Sequence, residues 1–219
     1  MNSESEKIQI IYRTEKEAVV YKPAGMATQL SDDTKGSSLE SILKKQLGKD
    51  EIYFPHRLDR ITRGLLLVCF DRETVAYYNE QMKLKKFEKH YECLAEPSVP
   101  EPEKLTGIHS RFIKTESGRS RIVQSGGKPS FLEIISILPS EAEKGLYKVG
   151  IRLITGRTHQ IRVMLSDLGI PLSGDRLYNP DSKFKQFYLE SVMLRFTDTD
   201  GAERCFGDKI MKNNLISKF

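Results

Sequence analysis

The stretch PHRLDRITRGLLLVCF, residues 55–70, sets one carboxylate, Asp59, among His56, Arg57, Arg60 and Arg63, directly ahead of an unbroken apolar run. A solvated loop scatters such charges, and a strand entering a buried sheet is ordinarily bounded by simple turn residues. Two further segments place reactive side chains at a strand end or a helix start: Tyr21-Lys22-Pro23-Ala24-Gly25, and Gly156 to Arg162 with Arg157, His159 and Gln160. Each also has a plain structural reading. Lys22-Pro23 reads as a turn, Asp59 as an ion-pair partner for a neighbouring arginine, and His159 with Arg162 as a cap or solvated pair on one helical face. The order His-Arg-Leu-Asp invites comparison with a kinase catalytic loop, but no Gly-rich phosphate loop precedes it, no Asp-Phe-Gly follows, and Leu58 and Asp59 stand in reversed order. A P-loop and a His/Cys/Asp cluster with metal spacing are absent as well, so no metal site is expected.

The chain that must hold these residues is 219 long, enough for a sizeable core in one large domain or two small ones, and one domain over residues 1–219 is the expectation. With 38% hydrophobic and 30% charged residues the balance is that of a soluble globular protein, and no apolar run reaches the roughly 20 residues of a membrane helix. The leading MNSESEKIQIIYRTEKEAVV has acids where a secretory signal needs a basic start and an apolar core, so a cytoplasmic protein is expected. Cys69, Cys93 and Cys205 are far apart and without a Cys-x-x-Cys, which implies small core residues and no disulfide framework. The net charge of +5 permits an anionic partner without requiring one. Distribution says more: Lys83, Lys85, Lys86 and Lys89 form one basic cluster and Arg111, Lys114, Arg119 and Arg121 another. Either could be a solvated face, but together with the arginines around Asp59 they favour a polyanion.

The positioning elements follow from periodicity. Residues 17–29 read as a strand broken into a loop by Pro23 and Gly25, and 37–48 as a helix with Ser37 and Glu40 in capping-box spacing and Gly48 as terminator. Gly64 to Phe70 suits a strand buried on both faces, and Asp71 caps a helix lined by Val75, Tyr78 and Met82. Strands are expected at HYECLAE, 131–138, 147–155 and 187–196, a helix within 156–169, and an exposed excursion at 96–105. Strands outnumber helices without alternating with them. The fold class is therefore α+β, with a mixed, mostly antiparallel central sheet flanked by helices and loops.

At this level of detail the chain resembles the RluA-type RNA pseudouridine synthases. The motifs that carry the resemblance are Lys22-Pro23-Ala24-Gly25, His56 to Gly64, Lys89-His90-Tyr91, Thr155 to Met164 and Gly174-Asp175-Arg176-Leu177-Tyr178, in the family's order between about residues 17 and 196. The pattern departs at Arg63, Met164 and Glu190-Ser191, none of which is the family's nucleophile.

The resemblance implies that Asp59 is the catalytic nucleophile, that Arg162 stands against it, and that Tyr91 stacks on the target base or accepts a proton from it. It also implies the pseudouridine synthase catalytic fold; the leading 16 residues are too few for an S4-like RNA-binding domain, so none is expected ahead of Lys22. The chemistry is consistent. Pseudouridylation exchanges an N1 for a C5 glycosidic bond without net redox change, so no cofactor is expected, and a carboxylate suits a sugar or base electrophile. Whether Asp59 attacks C6 of uracil or C1′ of ribose stays open. Burial favours a protonated carboxyl and an adjacent guanidinium the carboxylate, which gives an arginine at position 162 a purpose that lysine would serve poorly. A phenol ionises only near pH about 10, so stacking is the simpler role for Tyr91. The uridine would have to be flipped from its stack, in ribosomal or transfer RNA, with Lys22, His56, Arg57, Arg60, Arg63, Lys89, Arg157, His159 and Gln160 as RNA-binding candidates. The protein is expected to act as a monomer, without a membrane or an obligatory protein partner. Two other readings are weighed: an RNA-binding module without activity, against which Asp59, Tyr91 and Arg162 argue, and a nucleoside hydrolase, for which Asp175 would be the second carboxylate.

Overall fold

The computed structural model describes residues 7–30 and 38–207. The described residues gather into two compact units, one within residues 1–87 and 193–219, the other of residues 88–192.

In the first unit, β1 (Gln9–Arg13) pairs antiparallel with β2 (Glu17–Lys22), and β2 with β3 (Arg63–Cys69). β9 (Leu189–Thr197) begins in the second unit, ends in the first, and pairs antiparallel with β10 (Glu203–Phe206). Gly64 to Cys69 is buried at every position, as its unbroken apolar run implies. Two helices cover this unit's core. α1 (Leu39–Leu47) buries Leu39, Leu43 and Leu47 and ends at Gly48 in the left-handed conformation. Its capping box uses Ser38 and Ser41, one residue later than the expected pair: Ser37 lies outside the described residues, and Glu40 instead pairs with Lys44 on the helix surface. α2 (Arg72–Lys83) starts where expected, with the Asp71 carboxylate accepting from the Thr74 N–H at 2.7 Å. Tyr78, fully buried, meets Phe87 and Phe196 edge-on, while those two rings stack at 5.0 Å. The Tyr78 hydroxyl donates to the buried Glu17 carboxylate, whose own proton affinity burial has raised.

In the second unit the strand order is β4 (Glu88–Ala95), β8 (Tyr147–Leu153), β7 (Lys128–Pro139), β5 (Gly107–Glu116) and β6 (Arg119–Val123), each pair antiparallel. Alternation along β8 puts Tyr147, Val149, Ile151 and Leu153 on the inward face; the last three are buried and Tyr147 is half-buried. β5 and β6 turn tightly at Ser117-Gly118, both with positive φ, the geometry whose twist suits a two-residue hairpin. α3 (Gln160–Asp167) is the one α-helix of this unit among the described residues, buried from Gln160 through Leu165.

The α+β class and the mostly antiparallel pairing are those expected. Two local expectations are corrected. Cys205 is exposed on β10, whereas Cys69 and Cys93 are buried, where burial pushes their thiols up. Residues 96–105 are not a simple exposed excursion: Pro102 is buried in a short 3-10 turn, and the Glu96 carboxylate accepts from Asn179 and Ser182.

Candidate active site

Asp59 lies in the loop that feeds β3, and that loop is stitched to the Lys22-Pro23-Ala24-Gly25 loop that leaves β2. The stitching starts from register, since Lys22 is the Cα partner of Gly64 at the end of the β2–β3 ladder. Beyond that pair the two loops exchange hydrogen bonds reciprocally. The Gly25 N–H donates to the Arg60 carbonyl at 2.7 Å and Arg60 Nε donates back to the Gly25 carbonyl at 3.0 Å. Gly25 adopts φ of +86°, a left-handed turn that a side chain would strain. Thr28 Oγ1 donates to the Leu58 carbonyl at 2.9 Å and accepts from the Leu58 N–H at 3.3 Å. Asp59 itself closes a turn, its carbonyl accepting from the Thr62 N–H at 3.0 Å.

Lys22 completes this arrangement from inside. Its side chain is fully buried, and Nζ donates to the carbonyls of Pro23 at 2.9 Å, Met26 at 2.8 Å and Arg60 at 3.4 Å. An ammonium has three donors and no acceptor, so the loop carbonyls match it. Burial pulls the ammonium down to about 8, and the nearby Asp59 carboxylate pulls in the opposite direction. Lys22 is therefore a positioning residue buried under the Asp59 loop rather than a surface cation offered to a phosphate. Of the other candidates here, Arg57 and Arg60 are exposed, while Asp59, Arg63 and His56 are half-buried. His56 Nε2 accepts from the Leu67 N–H at 3.3 Å and its ring lies 5.6 Å from Phe87.

In the second unit, Tyr91 is buried on β4 beside Ile151, and Lys89, on the same strand, is buried with its ammonium pulled down to about 8 by desolvation. The loop from Thr155 to His159 is organised by Gln160. Its amide oxygen accepts from Thr155 Oγ1 at 2.9 Å and from the Arg157 N–H at 3.0 Å, and its nitrogen donates to the Phe131 carbonyl at 3.0 Å. Gln160, 2% exposed and thus committed, is a loop-shaping residue, whereas Arg157 is exposed and His159 half-buried in a left-handed backbone conformation. His159 Nδ1 lies 3.0 Å from the Tyr178 hydroxyl, which also accepts from the Ser120 N–H at 3.0 Å.

Arg162 is 5% exposed and is gripped in two places by Asp175: Nε to Oδ2 at 2.8 Å and an Nη to Oδ1 at 2.8 Å. Asp175 Oδ1 also accepts from the N–H groups of Leu177 at 3.0 Å and Tyr178 at 3.3 Å. The guanidinium lies 5.0 Å from the centre of the Tyr178 ring and 5.7 Å from that of Phe187. A buried ion pair is tolerable when its geometry is good and the remaining lone pairs are filled, and this one meets both conditions. Asp175 as a holder of Arg162 did not emerge from the sequence, although the Gly-Asp-x-x-Tyr motif marked the segment. The same engagement argues against Asp175 as the water-activating carboxylate of a hydrolase. Among the described residues no three His, Cys, Asp or Glu side chains come together to hold a metal ion.

A family model described as RNA pseudouridylate synthase matches residues 17–167. An uncharacterized RNA pseudouridine synthase of Haemophilus influenzae is 28% identical over 192 residues, covering 87% of this chain and 82% of the relative. Ribosomal large subunit pseudouridine synthase C of Vibrio vulnificus is 28% identical over 86% of this chain, which spans 61% of that relative, and a Bacillus subtilis relative is likewise spanned over only 59% of its length. The solved structure of human RNA pseudouridylate synthase domain containing 1 superposes with a TM-score of 0.73 at 26% identity, covering 97% of this chain and 89% of that one. With the family model spanning more than half of its residues, and the motif-bearing loops of both units within or beside that span, the chain belongs to the RNA pseudouridylate synthase family, the RluA-type motifs of which it carries.

Proposed function

We propose that the protein isomerises specific uridines in RNA to pseudouridine, with Asp59 as nucleophile on a flipped-out nucleotide. The observation that carries this reading is the pinned Asp59 loop: a carboxylate whose backbone neighbours are held by Lys22, Gly25 and Thr28 is pre-organised, which is what a covalent catalyst needs. In the reaction the N1–C1′ bond breaks, the base turns, and a C5–C1′ bond forms, while C5 loses a proton and N1 gains one. Asp59 takes up the sugar or base electrophile in between. Arg162 and Tyr91 act in the roles their motifs imply, the first as the cation that keeps a carboxylate ionised, the second as the stacking surface for uracil. Arg57, Arg60 and Arg63 supply positive charge around the extruded nucleotide.

The substrate is ribosomal or transfer RNA, and the Vibrio relative named for the large ribosomal subunit makes ribosomal RNA the first pool to examine. The reaction is expected to proceed in the cytoplasm on a monomer forming one catalytic domain, without a cofactor. Mapping pseudouridines in RNA from cells with and without the gene tests the assignment. Loss of at least one site supports it, and an unchanged map across ribosomal and transfer RNA contradicts it.

A further inference from the structure

A cleft of about 360 Å³ opens in the second unit between the end of β5, the turn at Gly126-Gly127 and the Gly156 to Thr158 loop. Its charged lining residues are Lys114, Lys128 and Arg157, and no carboxylate lines it. Lys128 and Arg157 make no ion pair among the described residues. Lys114 holds Glu116 at 2.7 Å, but both are exposed, and such surface pairs contribute little and yield to a better anion. The walls are fixed. Ser120 Oγ donates to the Thr158 carbonyl at 2.6 Å, tying the loop to the hairpin, and a Cβ on Gly127 would stand 2.7 Å from Val123 Cγ2 and 3.0 Å from the Ile113 nitrogen. Gly127 thus packs its backbone against the hairpin more closely than a side chain would allow.

A fourth cation stands behind this surface. Lys89 is 6% exposed, makes no hydrogen bond or ion pair among the described residues, and holds Nζ 3.8 Å from where a Cβ would sit on Gly156, itself a lining residue. A buried ammonium without a counter-charge is costly unless an anion reaches it. The charged side chains lining the cleft are therefore all cationic, and its size suits a phosphate with part of its sugar.

We propose that this cleft holds a backbone phosphodiester of the substrate RNA, contacted by Lys114, Lys128 and Arg157. The proposal rests on the reading of the chain as an enzyme acting on RNA and names a contact surface for that substrate. The test compares the unaltered protein with the Lys114→Gln, Lys128→Gln double variant, whose changes are on exposed side chains, and reads the affinity for a fluorescein-labelled RNA hairpin with a uridine loop across a salt series. Two lost contacts should lower the slope of log affinity against log salt by about 1.4 to 1.8, since each phosphate contributes roughly 0.7 to 0.9. Arginine at both positions should restore it. An unchanged slope in the glutamine variant overturns the proposal. A second measurement follows the amide resonances of Gly127 and Gly156: shifts with the hairpin support an RNA phosphate, whereas shifts with inorganic phosphate and none with the hairpin assign the cleft to a free anion and overturn it. Absence of tritium release from C5-labelled uridine RNA by the unaltered protein would fail the underlying enzyme reading, whatever the slopes show.

Discussion

Arg162 and Asp175 form a buried two-pronged ion pair with both hydrogen bonds at 2.8 Å, and two backbone N–H groups on Asp175 complete the carboxylate's coordination. The pair joins two sequence motifs into one rigid unit, because Asp175 fixes the guanidinium plane that Tyr178 and Phe187 then cover.

Asp175→Asn should therefore remove the carboxylate charge that grips the buried guanidinium in two places and destabilise the protein by about 3 to 5 kcal/mol, the range for breaking a buried ion pair. Urea unfolding followed by circular dichroism measures this. Stability within about 0.5 kcal/mol of the unaltered protein, the range of an ordinary surface substitution, would show that Arg162 has sufficient partners without Asp175.

Thr28→Val keeps the shape of the side chain and removes the hydroxyl that satisfies both backbone groups of Leu58. Leaving those buried groups unpaired should cost about 1 to 3 kcal/mol. Because Leu58 adjoins the nucleophile, single-turnover rate at saturating RNA should fall by at least about tenfold, the effect of a small misplacement of reacting atoms, while RNA affinity changes little. A variant that loses affinity and keeps its single-turnover rate would separate Thr28 from the positioning of Asp59.

Lys22 makes a pH-dependent contribution whose sign follows from its burial. Its ammonium titrates at about 8 in the folded protein and near about 10.4 in an unfolded chain, so between those values the unfolded state holds more protons. Stability from this group is lowest below about pH 8 and rises as pH climbs toward about 10.4. Lys22→Met lacks this rise and strands the carbonyls of Pro23 and Met26, so the stability gap between the unaltered protein and the variant should widen from pH about 7.5 to about 9.5. A constant gap in urea unfolding at the two pH values would uncouple Lys22 ionisation from folding.

The motif loops were legible because their residues break local rules: Pro23 and Gly25 end a strand, and Asp59 sits among arginines where a bare turn would do. What their side chains touch was not. A lysine beside a proline reads as exposed, and only the pairing of Lys22 with Gly64 carries it inside. Gln160 likewise reads as a ligand for RNA, yet its amide is used up within its own loop. β5 escaped because a strand is recognised in sequence by apolar residues on its inward positions, and here the burial alternates but His109 and Arg111 take inward positions while Ile108 and Phe112 are exposed. The Ser117-Gly118 turn between two basic stretches was the remaining signal for a hairpin. The Arg162–Asp175 pair spans 13 residues and no single element, so periodicity could not reveal it.

The central claim is that Asp59 performs the chemistry while the loops around it serve position. Purified protein should release tritium to water from RNA labelled at uridine C5, since that proton is lost when C5 joins the sugar. Asp59→Asn should abolish the release, by at least about a thousandfold, and keep RNA affinity within about threefold, because it removes the nucleophile and little of the shape. Tritium release by Asp59→Asn at a rate near that of the unaltered protein would contradict the account.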